Sequence, residues 1–326
     1  SLYPREHPSD DRPMTEAPFR FNFGAITPEH FLEAYWQTEP YLFRQALPGV
    51  EHLLTPEQLS ELSCNDEVES RLISQADSGW QLKDGPIDHL DEYLSQPRQA
   101  LLVQSVDLWH PGVSALKRQF SFLPSWRVDD VMVSYATQQG GVGPHFDFYD
   151  VFLIQGAGQR TWELGDLCDE TASLVPGATL KILSDFEAKT CYTLEAGDVL
   201  YLPPRIAHCG TAIDHAMTFS IGFRSPTLAE LFDDLATELW SLPTSAHYRD
   251  PPLKCDADPL DIPESVIDDL QALLHSVVDD RSRLADWFAR YMTTPRYPEL
   301  DTLVPEHRVA RYQGTSYVNG FREDEA

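Results

Sequence analysis

The sequence predicts a mainly β protein with flanking helices: an antiparallel barrel or sandwich at the centre, short helices before it and amphipathic helices after it. Three observations lead there. Between Val128 and Arg224, short segments rich in β-branched and aromatic residues follow one another closely, punctuated by Gly, Pro and Asp. That rhythm leaves no room for the crossover helices of βαβ units. The same stretch contains no G-x-G-x-x-G and no phosphate-binding loop. Beyond it the apolar period changes to that of a helix.

Taken in order, residues 1–18 carry Pro4, Pro8, Pro13 and Pro18 with few apolar side chains and read as a disordered leader. Met14 is a candidate natural start, with foreign residues before it. Residues 19–100 form an α/β flank. Thr27-Pro28-Glu29 caps a helix on which Phe31, Leu32, Tyr35 and Trp36 recur at helical spacing. TPEQLSELS (55–63) repeats that start, and SRLIS and ALLVQSV then read as strands among short helices. Residues 101–225 hold the β segments VMVSYA, YDVFLIQG, RTWELG, CYTLEAG, VLYLPP and MTFSIGF. Of these, VFLIQ-GAG-QRTWEL has the look of a hairpin.

Residues 226–294 are helical. Leu228, Leu231, Phe232, Leu235 and Leu239 share one stripe, Ile267, Leu270 and Leu274 a second, and Leu284, Trp287, Phe288 and Tyr291 a third. Such stripes cap the barrel or form a dimer interface. Residues 295–326 read as a short β-hairpin and an acidic tail.

Composition limits the function classes. The chain has 326 residues, 42% hydrophobic and 23% charged, with no apolar run near the ~20 residues of a membrane span. Its beginning has no apolar signal core. Against 24 Lys and Arg stand 52 Asp and Glu, a net charge of −28. Direct nucleic-acid binding is disfavoured by that repulsion, whereas a basic protein partner is attracted. Five scattered cysteines without a CxxC pair fit a reducing cytoplasm and neither a zinc ribbon nor a disulfide framework.

The chemistry concentrates in GPHFDFYDVFLIQGAGQR (143–160). In extended backbone, side chains two apart share a face, so His145 and Asp147 can aim an imidazole and a carboxylate at one ion. Among the downstream histidines, His208 alone follows a strand and turn of the β region, in LEAGDVLYLPPRIAHCG. Two histidines and one carboxylate occupy one face of an octahedron, which suits non-haem Fe(II) better than tetrahedral zinc. Three positions stay open for a chelating 2-oxo acid and O2. Arg160 could supply the fork for the distal carboxylate of 2-oxoglutarate. Thr218 and Ser220 alternate onto one face and could complete that pocket, with Ser134 and Tyr135 as weaker candidates. Each of these also has a bland reading as a strand hydroxyl, and Arg160 as a solvated arginine. Cys209 should point away from the site.

The segments SRLIS, LLVQSVDLWHP, WRVDDVMVSYA, GGVGPHFDFYDVFLIQG, LEAGDVLYLPPRIAHCG and AMTFSIGFRSPTLAEL, in that order over about Glu69 to Leu231, resemble the JmjC-type bacterial ribosomal oxygenases. The resemblance implies a double-stranded β-helix, the jelly-roll or cupin-like JmjC barrel. It implies Fe(II) on His145, Asp147 and His208, with 2-oxoglutarate on Arg160 and O2 as oxidant. It also implies hydroxylation of an arginine β-carbon in a basic large-subunit ribosomal protein, in the cytoplasm, by a homodimer joined through residues 226–294. Tyr149, Asp130 and Gln155 are then candidate walls for the substrate guanidinium. Two departures stand out. Residues 295–326 are too few for the family's C-terminal winged helix and would be a remnant of it, and Phe146 and Phe148 beside the clasp are bulkier than the pattern. Histidine hydroxylase and lysine demethylase activities would share every iron residue. A non-catalytic cupin or a metal-dependent isomerase would need no 2-oxoglutarate.

Overall fold

The computed structural model describes residues 19–241 and 247–324. The leader expected over 1–18 lies outside them. The chain divides into two compact units: one comprises the chain up to Phe122 together with Asp130–Gly222, the other Leu123–Asp129 together with Phe223 onward.

In the first unit the N-terminal flank supplies α1 (Pro28–Ala34), β1 (Tyr41–Phe43), α2 (Pro56–Ser63), β2 (Ser70–Ala76), β3 (Gly79–Asp84), α3 (Leu90–Leu94), β4 (Gln99–Val103) and α4 (Pro111–Arg118). The Thr27 hydroxyl accepts from the His30 N–H, as expected of a cap. Thr55 and Gln58 close a full capping box. Helix α1 is shorter than the apolar spacing suggested. Tyr35 caps it, and Gln37 at φ +59° turns the chain away. The Gln37 N–H donates to the Tyr201 hydroxyl, so tertiary bonding ends the helix.

The barrel strands are β5 (Val128–Ala136), β6 (Val151–Gln155), β7 (Arg160–Leu167), β8 (Thr190–Leu194), β9 (Val199–Leu202), β10 (Ile206–Ala212) and β11 (Ala216–Phe223). They form an eight-stranded sheet in the order β1-β9-β6-β11-β5-β4-β2-β3 and a three-stranded sheet β10-β7-β8. The jelly roll predicted from the sequence is thus present. The hairpin predicted over 151–164 is not. β6 pairs with β9 and β11, β7 with β8 and β10, and the intervening turn carries the chain from one sheet to the other. Gly158 makes that crossing possible: it sits at φ +77°, and a Cβ there would stand 1.9 Å from the His215 carbonyl oxygen. β10 was not expected as a strand, because IAHCGTA carries little of the β-branched alternation that marks one.

The inward residues Val151, Leu153, Trp162, Leu164, Leu194, Leu200 and Leu202 make one core cluster. A second block of buried side chains is aromatic. Phe31, fully buried, lies 5.0 Å from the Tyr201 ring and 5.8 Å from Phe152, with Phe43 and Phe122 around it. Aromatic pairs of this kind add about 0.5–1.5 kcal/mol each beyond area burial.

In the second unit, α5 (Leu228–Ser241), α6 (Glu264–Val278) and α7 (Arg281–Thr293) precede the antiparallel strands β12 (Val309–Tyr312), β13 (Thr315–Val318) and β14 (Phe321–Arg322). Asp129 is a hub: Arg224, Arg296 and Arg308 donate to its carboxylate at 3.1, 3.0 and 3.2 Å. Burial pushes this carboxyl up, but the three guanidiniums outweigh it and the net shift is downward. The Trp287 indole donates to Asp234 at 2.7 Å and Arg290 forks onto Glu238, joining α7 to α5. By contrast, α6 buries none of its residues. Among the described residues no helix is long and apolar enough to cross a membrane.

Candidate metal centre and cosubstrate pocket

His145 and Asp147 lie in the segment that leads from β5 into β6, and His208 lies on β10. The two arms are joined by main chain. His145 and His208 exchange N–H···O bonds of 3.0 and 2.8 Å, an isolated antiparallel bridge. The three side chains form a cluster whose ligand atoms all lie within 4.8 Å of one another. Nε2 of His145 is 3.8 Å, and Nε2 of His208 3.7 Å, from Asp147 Oδ2. Ligands at right angles around an ion with bonds of about 2.1 Å stand about 3 Å apart, so the trio would draw together to close on one.

The hydrogen bonds fix which ring nitrogens face the gap. Nδ1 of His145 is 2.9 Å from the Gly143 carbonyl, and Nδ1 of His208 is 2.8 Å from that of Ile206. A carbonyl can only accept, so each Nδ1 carries the proton and each Nε2 presents a lone pair. Burial, reinforced by the nearby His145, pushes His208 down to about 4. His208 is therefore a neutral imidazole at neutral pH, the form that can donate to an ion. One carboxylate and two imidazoles, with no further His or Cys in the cluster among the described residues, are the donor set of a facial non-haem iron site.

Arg160 opens β7, opposite Ala212 on β10 and Leu194 on β8. It is 4% exposed, and its Nη1 donates to the Ser134 hydroxyl at 3.2 Å. Among the described residues Nε and Nη2 have no hydrogen-bond partner, and neither has the buried Thr218 hydroxyl. Burial lowers this guanidinium to about 10, so it stays charged. Taking a cation out of water without a counter-ion is costly. The orphaned donors therefore describe a pocket shaped for an anion with several acceptor oxygens. The Trp162 ring links the two halves of the site, 5.8 Å from the Arg160 guanidinium and 5.9 Å from the His208 ring. Ser220 is buried two residues beyond Thr218, on the same face of β11. Tyr135, one residue after Ser134, bonds instead to His215 at 2.7 Å. Cys209 neighbours Thr211 and Glu163, away from the clasp.

The candidate substrate residues differ in what they have to spare. Tyr149 exposes 40% of its surface and hydrogen-bonds Asp147. Burial of its phenol end, then the Asp147 charge and that bond, raises its pKa. Asp130 Oδ2 is occupied by Gln104, the Ser105 N–H and the Ser105 hydroxyl at 2.7, 3.0 and 2.7 Å. Its Oδ1 and the Tyr149 ring flank Gly222, where a Cβ would stand 3.9 and 4.0 Å from them. Gln155 is fully buried, and its amide nitrogen donates to the carbonyls of Ala157, Gly158 and Met217, bracing the crossing turn. Sequence reasoning did not single out Arg205. Its N–H donates to the Asp147 carbonyl at 2.6 Å, and only the Pro203-Pro204 turn before it hints at an unusual backbone.

Residues 115–231 match the JmjC domain family. The chain is 36% identical over 277 residues to the Ribosomal protein uL16 3-hydroxylase of Escherichia coli, covering 85% of this chain and 74% of that protein. It is 39% identical over 213 residues to a Probable ribosomal oxygenase of Haemophilus influenzae, covering 65% of this chain and 53% of that one. The structure of YcfD, a ribosomal oxygenase from Escherichia coli in complex with cobalt and 2-oxoglutarate, superposes with a TM-score of 0.81 at 32% identity. That match covers 93% of this chain and 86% of the other. This chain belongs to the JmjC-type ribosomal oxygenases.

Proposed function

We propose that the chain is an Fe(II)- and 2-oxoglutarate-dependent hydroxylase of a large-subunit ribosomal protein, acting on an arginine β-carbon. The observation that carries the reading is the buried Arg160 guanidinium, with two unpartnered donors, in the same barrel as the His145–Asp147–His208 clasp. A dicarboxylate that chelates the ion at one end and meets Arg160 at the other satisfies both. When bound, the iron and 2-oxoglutarate supply the oxidising power: O2 gives one atom to succinate as CO2 leaves, and the other to the substrate C–H.

The protein's own work is placement. His145, Asp147 and His208 hold the ion, with their rings locked by the Gly143 and Ile206 carbonyls. Arg160, Ser134 and Thr218 grip the distal carboxylate, with Ser220 beside them. Asp130 and Tyr149, both close to Gly222, form an anionic and aromatic wall suited to a guanidinium. The net charge of −28 favours encounter with a basic ribosomal protein, and the ribosome places the reaction in the cytoplasm. The uL16 3-hydroxylase of Escherichia coli supports this substrate class.

The test is succinate release and a one-oxygen mass increase on a panel of ribosomal-protein peptides, with Fe(II) and 2-oxoglutarate. The expected result is an increment on one arginine that needs both additions. Succinate without any modified peptide would reject the substrate and retain the oxygenase; modification of a histidine, or methyl loss from lysine, would reassign the target.

The second unit bears on assembly. On α5 and α6, Leu228, Phe232, Ile267, Leu270 and Leu274 are exposed, and apolar stripes of this kind call for a covering surface. A second copy of the chain is the proposed cover. Light scattering should return twice the 36.9 kDa chain mass, and a monomer after replacement of Leu270 and Leu274 by Lys. A wild-type monomer at micromolar concentration would sink the dimer.

A further inference from the structure

The turn before His208 holds a strained residue that the chemistry above does not use. Arg205 lies at φ +74°, in the left-handed region that non-glycine residues avoid. Such strain persists only where its surroundings impose it. Here the surroundings are the clasp and one excursion of the chain, 168–189, which connects β7 to β8.

The clasp arms pair as antiparallel backbone at His145 and His208. In regular pairing Ile206 would next face Asp147. Instead the Arg205 N–H takes the Asp147 carbonyl, a slip of one residue, and the Ile206 carbonyl takes the His208 ring. The pairing of β10 with β7 is irregular over the same residues: Ile206 faces Leu167 and His208 faces Leu164, two steps against three. The left-handed turn at Arg205 accompanies both slips.

The excursion is fastened at each arm. The Arg205 Nε donates to the Cys168 carbonyl at 2.8 Å, and the Cys168 N–H returns a bond of 2.8 Å to the Arg205 carbonyl. At the other arm the Leu183 N–H donates to the carbonyl of Pro144, the residue before His145, at 2.8 Å. Between these points the segment folds on itself, with Leu174 bridging Leu183 and Ile182 buried where Gly143 leaves space. It is a strap across both ligand arms.

We infer that Arg205 is a positioning residue. Its left-handed backbone sets where Asp147 and His208 stand, and its side chain ties the 168–189 strap to them, so that metal occupancy and strap order are coupled. The inference rests on the metal reading proposed above.

Wild type, Arg205→Gly and Arg205→Val are titrated with Co(II) by visible absorption, and hydrogen exchange is followed over 168–189 with and without the metal. Wild type binds Co(II) and the strap amides slow on binding. Glycine adopts the turn freely and keeps the main-chain bonds but lacks the side-chain tether, so Arg205→Gly binds Co(II) within about threefold of wild type while metal no longer slows strap exchange. Valine opposes the left-handed turn, so Arg205→Val loses about tenfold or more in affinity, the range for partners that orient metal ligands. If Arg205→Val does not fold, Arg205→Ala replaces it with the same expectation in smaller measure. A purely structural role would lower the metal-free melting temperature and leave Co(II) affinity alone. That outcome, or metal-dependent protection retained in Arg205→Gly, overturns the inference. Failure of the wild type to bind Co(II) would remove the metal reading itself, and is read separately.

Discussion

Replacing His145, Asp147 or His208 with Ala is expected to weaken Co(II) binding by well over the roughly 100-fold ceiling of orienting partners and to abolish turnover. The metal-free fold should survive in each. Asp147→Ala leaves the bond from the Arg205 N–H to its carbonyl, and the paired N–H and C=O groups of His145 and His208 are main chain. The variants thus separate the site from the scaffold. The decisive measurement is the Co(II) visible spectrum of each variant beside its circular dichroism. A protein that keeps its secondary structure and still binds Co(II) with wild-type affinity would show that the clasp is not the metal site.

Arg160→Met should produce the other large effect, in two opposite directions. Losing a bidentate, charge-assisted contact of roughly 3 kcal/mol weakens 2-oxoglutarate binding about 100-fold. Without 2-oxoglutarate, however, the variant should melt no lower than wild type, and higher if Met fills the space. In wild type a buried guanidinium keeps two donors unpaired, and exchanging such a group for an apolar one of similar volume relieves a desolvation cost. Thermal melts with and without 2-oxoglutarate, alongside calorimetric titration, check both halves. A variant whose melting temperature still rises normally with 2-oxoglutarate would remove Arg160 from the pocket.

Much of the candidate site was legible because its chemistry is local. The two-residue spacing of His145 and Asp147, the turn signals ahead of His208 and the helix caps at Thr27 and Thr55 are each written within a few residues. The illegible parts are non-local. That β6 and β7 part company, despite a turn that looks like a hairpin, is decided by β9, β11, β8 and β10, which lie further along the chain. β10 is a strand because β7 and the His145 arm pair with it, not because IAHCGTA prefers to extend. Gln155, named as a candidate wall for the substrate guanidinium, spends its amide nitrogen on three carbonyls of a turn whose path the sequence did not disclose. Arg205 went unnoticed for a related reason: an arginine with positive φ is set by what surrounds it, and no side-chain preference announces it.

The bridge between His145 and His208 has a bearing on how the chain folds. Four strands, β6 to β9, intervene between the two histidines, so the clasp closes only after a long loop has been gathered and both sheets have met. Closing such a loop is an entropic expense met late, once contacts elsewhere have shortened the search. An unfolded chain can offer a metal His145 and Asp147, but not the full trio. The ion therefore binds the finished barrel in preference to anything before it, and by mass action it deepens the native basin in proportion to its free concentration.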